Sequence, residues 1–216
     1  MRLGIPIYEG VNLLDVAGPL EMFYWASRDN PLETVLVSAD GGGVTSLNGV
    51  YFSAQASFAQ TPALDILWVP GGKPAALEAI MRDEYSSYLQ YLRQIARSAT
   101  WVCSVCEGAM LLARAGLLKN HKATTHWAFI PCLRKFDAIT VDTQHERFVV
   151  SQRKDPTENR LTGGGISSGL DEALKLISLL FGDGAAEEVQ VATQYFPKPP
   201  VMGAIPATSE CPITWE

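Results

Sequence analysis

Short, almost wholly apolar runs alternate along this chain with longer stretches in which apolar residues recur every three or four positions. The first pattern suits a strand buried on both faces, and the second suits a helix with one face on a core. Arg2–Tyr8, Leu32–Ser38, Leu64–Pro70 and Thr100–Val105 predict strands. A helix is expected from between Asp15 and Pro19 to about Arg28, with Leu20, Phe23 and Tyr24 on one face and Pro19 in the first turn. Helices are also predicted near Pro74–Met81, Glu84–Arg97, Glu107–Leu117, Thr125–Phe136, Ser168–Phe181 and residues 184–195. Asn48-Gly49 between alternating runs within Gly41–Ser53 signals a β-hairpin. Ala138–Val141, Arg147–Ser151 and Arg160–Thr162 read as further strands, and the tail from Phe196, with five prolines, is expected to wrap the surface.

Strands alternating with helices imply an α/β fold with a mostly parallel sheet covered on both faces. In such sheets ligands bind at the carboxyl ends of the strands. Asp15, Gly71-Gly72, Cys106 and Gly163-Gly164-Gly165 all follow predicted strand ends, so they are expected to converge.

Length and composition narrow the classes. The 216 residues suit one domain, 1–216, with a single sizeable core. A net charge of −6 without a long basic stretch argues against nucleic-acid binding. No apolar run approaches the roughly 20 residues that span a bilayer. The N-terminus reads as a strand and not as a signal peptide, so a cytoplasmic protein is expected. In that setting the four cysteines, Cys103, Cys106, Cys132 and Cys211, argue against a disulfide framework. Cys103 and Cys106 form a C-x-x-C spacing, but an offset of three along a strand sends the side chains to opposite faces, and Cys103 reads as a small core residue.

Cys106 is the main chemical candidate. It stands where a strand ends and a helix begins, which predicts an exposed thiol facing free helix N–H groups that favour the thiolate. Gly108 would allow close packing behind that corner. Gly71 and Gly72 could supply an oxyanion donor or serve only as a turn, and the same two readings apply to Gly165 and the adjoining Ile166. Asp15 is either a helix N-cap or a general acid/base beside the thiol. Glu107 either complements the helix dipole or faces Cys106, where it would raise the thiol pKa unless protonated. His126 is either a structural histidine or a partner for Cys106. Three scattered histidines without H-x-x-x-H or H-x-H argue against a metal site.

At Leu14-Asp-Val-Ala-Gly-Pro, Val69-Pro-Gly-Gly, Ser104-Val-Cys, Ala113-Arg-Ala-Gly-Leu-Leu, Ala123-Thr-Thr-His-Trp, Leu161-Thr-Gly-Gly-Gly-Ile and Val189-Gln-Val through Phe196-Pro-Lys-Pro-Pro, the chain resembles the DJ-1/PfpI superfamily. Within it the nearest resemblance is to the isonitrile hydratase branch. The resemblance implies a flavodoxin-like three-layer α/β/α sandwich with a small hairpin excursion, a homodimer, a small-molecule substrate and no cofactor. It implies Cys106 as nucleophile and Asp15 as acid, hydrating an isonitrile to an N-substituted formamide through a thioimidate. Glu107 departs from the branch, which typically has threonine there. The alternatives are a redox- or ligand-sensing domain and a glyoxalase- or deglycase-like enzyme acting on small α-oxoaldehydes. The same segments also resemble the sensing domain of AraC-type regulators, which implies a further helix-turn-helix module of about a hundred residues that is not expected in this chain.

Overall fold

The computed structural model describes residues 1–215. The chain runs β1 (Arg2–Pro6), α1 (Leu13–Ser27), β2 (Glu33–Ser38), β3 (Val44–Thr45), β4 (Tyr51–Phe52), β5 (Ala56–Ser57) and β6 (Ile66–Val69). It continues through α2 (Pro74–Arg82), α3 (Ser87–Ile95), β7 (Trp101–Ser104), α4 (Gly108–Arg114), β8 (Lys122–Ala123), α5 (Ile130–Leu133) and β9 (Thr140–Val141). The last elements are β10 (Phe148–Ser151), β11 (Asn159–Gly163), α6 (Ser168–Phe181) and α7 (Asp183–Ala192).

A seven-stranded sheet in the order β10-β11-β7-β6-β1-β2-β5 carries the molecule. Every pairing in it is parallel except β10 with β11. Helices cover both faces, giving a flavodoxin-like sandwich. β1, β6 and β7 at its centre are almost wholly buried, which explains why their sequences lack polar alternation. The predicted hairpin forms as β3 and β4.

Several local expectations are corrected. Helix α1 begins at Leu13, so Asp15 lies inside its first turn and Asn12 takes the N-cap position. Pro19 is then interior. A proline at that position cannot donate to the carbonyl four residues earlier, that of Asp15. The Trp68 indole N–H donates to that carbonyl instead, at 3.2 Å. The apolar face is also rotated from the one expected, because Phe23 is buried while Tyr24 is exposed. The helix expected over Thr125–Phe136 is shortened to a 3₁₀ turn at Trp127–Phe129 and the single turn α5.

Cys132 and Cys211 form a disulfide, which corrects the reading of the cysteines as arguing against disulfide bonding. They are 79 residues apart, and the chain folds back so that their α-carbons lie 4.7 Å apart. Cys103 and Cys106 are both free and buried, and Cys103 is the core residue expected. Among the described residues, no helix is long and apolar enough to cross a membrane.

Candidate active site

The corner after β7 is held by close backbone contacts. Cys106 has φ +56°, a left-handed conformation that an L-residue with a β-carbon adopts at a cost of about 1–2 kcal/mol. Its N–H donates to the Gly164 carbonyl at 2.8 Å, and Thr125 Oγ1 donates to its carbonyl at 2.8 Å. Gly108 follows with no room for a side chain, since a β-carbon there would stand 2.1 Å from the Val69 carbonyl oxygen. The turn therefore fixes where the thiol points.

The strand ends converge as the topology predicts. From β6, the Gly71 carbonyl accepts from the Asn12 N–H at 2.9 Å, and the Gly71 N–H donates to Asp15 Oδ2 at 2.9 Å. Gly71 is hemmed in on the other side by Glu107, whose Oε2 would stand 2.3 Å from a β-carbon there. Gly72 packs instead against the Gly10 carbonyl and the Tyr8 hydroxyl. Gly165 lies against the His126 imidazole, and the Ile166 N–H donates to the Cys106 sulfur.

Asp15, Cys106 and Glu107 form one buried cluster, with an oxygen of each acid and the sulfur all within 4.8 Å of one another. Asn12, to which sequence reasoning gave no role, sits among them. Its Nδ2 lies 3.1 Å from Glu107 Oε2, 3.4 Å from Asp15 Oδ2 and 3.7 Å from Cys106 Sγ. A polar residue three positions before Asp15 was the available signal. The three ligand atoms are spaced closely enough to hold a cation, but the Asn12 amide already directs a donor at all three. Glu107 faces the thiol and not solvent.

The environment opposes charge. Burial pushes the Asp15 carboxyl up to about 8, and the nearby Glu107 adds to the effect; the Gly71 N–H and the Asn12 amide pull the other way. Burial likewise drives the Cys106 thiol well above its ordinary range, with Asp15 and Glu107 pushing further and the Ile166 N–H opposing. The expected exposed thiolate is therefore corrected: Cys106 has no exposed surface and rests as a thiol. His126 is half-buried, and burial lowers its pKa while Glu107 opposes the shift. It is not among the hydrogen-bond partners of the sulfur. It lines a cavity of about 370 Å³ together with Leu14, Trp127, Gly165, Ile166 and Ile205. Leu14 adjoins Asp15, and Ile166 touches both the cavity and the thiol.

The sequence pattern of the DJ-1/PfpI family matches residues 1–162. The chain belongs to the DJ-1/PfpI family. It is 35% identical over 216 residues, all of this chain and 88% of the relative, to the isonitrile hydratase of Pseudomonas putida. It is 26% identical over 179 residues, 81% of this chain and 45% of the relative, to the HTH-type transcriptional regulator GbdR of Pseudomonas aeruginosa. Among solved structures, a ThiJ/PfpI family protein from Pseudomonas syringae superposes with a TM-score of 0.80 at 31% identity, covering 93% of this chain and 77% of that one.

Proposed function

We propose that the protein is an enzyme of the isonitrile hydratase type, with Cys106 as nucleophile and Asp15 as general acid/base. The observation that carries this reading is the buried cluster in which Asp15, Glu107 and Cys106 share the Asn12 amide. Its similarity to the Pseudomonas putida hydratase over the whole chain supports the same reading.

An isonitrile carbon must gain both a proton and a nucleophile, and a protonated Asp15 beside the thiol offers both, with the Glu107 carboxylate taking up the thiol proton so that the total charge of the site does not change. Asp15 holds its proton up to about pH 8 and delivers it to the isonitrile carbon as the Cys106 sulfur bonds to that carbon. The thiol proton passes to the Glu107 carboxyl group. This gives a thioimidate, R–N=CH–S–Cys. Water then adds to the same carbon, with one water proton returning to Asp15 and the nitrogen taking the proton from Glu107. As the carbonyl forms, the C–S bond breaks. The hydroxyl proton returns through Glu107 to sulfur, and R–NH–CHO leaves. The sum is R–NC plus water giving the formamide. Gly71 would position the acid, because its N–H is already committed to Asp15.

The test is incubation of the purified protein with alkyl and aryl isonitriles, followed by NMR. Formamide that appears with wild type and not with Cys106→Ala is expected. No formamide across the panel would overturn the reading, and lactate from methylglyoxal would favour the glyoxalase-like alternative.

A further inference from the structure

The chain beyond α7 places Ile205 on the cavity that His126, Gly165 and Ile166 line, with little holding the segment between its two ends. At its start, the Tyr195 hydroxyl donates to Asp171 Oδ1 at 3.2 Å, and Gln190 Nε2 donates to the Tyr195 carbonyl at 3.2 Å. At its far end it is fastened three times. Cys211 is bonded to Cys132, the Trp215 ring stacks on Phe136 with centroids 5.3 Å apart, and the Thr214 N–H donates to Glu78 Oε1 at 3.0 Å. Between these anchors, residues 197–210 make no backbone–backbone hydrogen bond among the described residues, and Val201 and Met202 stand in solvent. Pro197, Pro199, Pro200 and Pro206 stiffen the segment by fixing φ. A stiff strap without its own hydrogen bonds takes its course from its ends.

Ile205 is the residue this strap contributes to the cavity wall, facing the same space as Leu14, His126 and Ile166. It is half exposed, so its contribution to folding is small, while its β-branched side chain narrows the cavity that Ile166 and His126 also line.

We propose that Ile205 is a specificity-determining wall of the substrate cavity and that the Cys132–Cys211 disulfide holds it in place. The part concerning substrate rests on the hydratase reading above. It follows that the strap limits the bulk of the group carried on the isonitrile nitrogen, and that opening the disulfide relaxes that limit. Opening needs a dithiol reductant: its two thiols form a disulfide, and the two electrons and two protons convert Cys132–Cys211 into two thiols.

The experiment compares alkylation of Cys106 by iodoacetamide with alkylation by an N-aryl iodoacetamide, located by peptide mass mapping. The proteins are wild type, Ile205→Ala, and the double variant Cys132→Ser, Cys211→Ser. In wild type the small reagent is expected to be strongly preferred. The preference should fall about tenfold in both variants, the discrimination expected when an apolar pocket loses a few methyl groups. Ile205→Ala keeps the disulfide, so its result stands even if the double variant loosens the tail generally. An unchanged ratio in Ile205→Ala overturns the proposal, and so does a Cys106 that neither reagent reaches in any of the proteins. A changed ratio in a protein that hydrates no isonitrile would sink the hydratase reading and leave the wall in place.

Discussion

Gly71 donates its backbone N–H to Oδ2 of Asp15 at 2.9 Å, while Oδ1 of the same carboxyl is buried without a partner. A buried carboxyl with one oxygen satisfied and the other free carries its proton on the free oxygen, where it is available to a reacting atom. The unfolded chain releases that proton near the ordinary value of 3.8, whereas the folded chain holds it to about 8. Between those values the folded state binds more protons, so this group lowers stability as pH rises, by about 1.4 kcal/mol per pH unit. Asp15→Asn keeps an acceptor for Gly71 and removes the titration. The variant is expected to gain stability over wild type progressively from about pH 4 to about pH 8, read from urea unfolding midpoints, and to lose about 10²–10⁴-fold in turnover. A stability difference that stays flat with pH would show that Asp15 is not the group holding the proton.

The sheet was legible because apolar runs and helical periodicity report burial directly, and the convergence of Asp15, Gly71, Cys106 and Gly164 followed from topology alone. What escaped depends on contacts distant in sequence. The edge strand β5 is two residues long and carries no pattern of its own. The disulfide joins residues 79 apart. The burial of Cys106 depends on Gly164, just after β11, and Asn12, just before α1, closing over a corner whose local sequence suggests exposure. Asn12 reads as an ordinary helix-cap residue until the folded chain turns its amide toward three acidic groups.

That amide makes Asn12 a positioning residue with its own signature. Asn12→Ala leaves Glu107 Oε2 and the Cys106 sulfur without this shared donor. An unbridged buried acceptor costs about 1–3 kcal/mol. Losing a donor to sulfur also removes support for the thiolate. The variant is expected to be less stable and to alkylate at Cys106 with a pH profile moved to higher pH. A purely structural role would lower stability without moving the profile.

The left-handed backbone at Cys106 separates fold from chemistry. Cys106→Ala and Cys106→Gly both remove the sulfur, but only glycine relieves the steric cost of φ +56°. Both variants should be inactive. Their stabilities should be ordered with glycine at or above alanine by about 1 kcal/mol, less whatever backbone entropy glycine adds to the unfolded chain. Thermal or urea unfolding of the pair checks the order. Alanine clearly more stable than glycine would mean that the corner is not strained.

Glu172 tests whether a fourth buried acid shapes the same region. It lies on α6 with no exposed surface, and neither carboxyl oxygen has a hydrogen-bond partner. Its space exists because residue 163 is glycine, where a β-carbon would come within 2.0 Å of Oε2. Burial drives its pKa well above the ordinary 4.5, and Asp15 adds to the effect. The folded chain therefore keeps a proton that the unfolded chain loses above about 4.5, and stability falls as pH rises. Glu172→Met, similar in length and without charge, is expected to raise stability at about pH 8 and to change it little near pH 4. Gly163→Ala should cost about 1–3 kcal/mol by overpacking. In a Glu172→Ala background the carboxyl contacts are gone and Ser168 Oγ, at 3.2 Å from the added β-carbon, remains, so most of that cost should disappear. The double-mutant cycle reads this coupling directly, and additive effects would mean that Gly163 is required for a reason other than making room for the carboxyl.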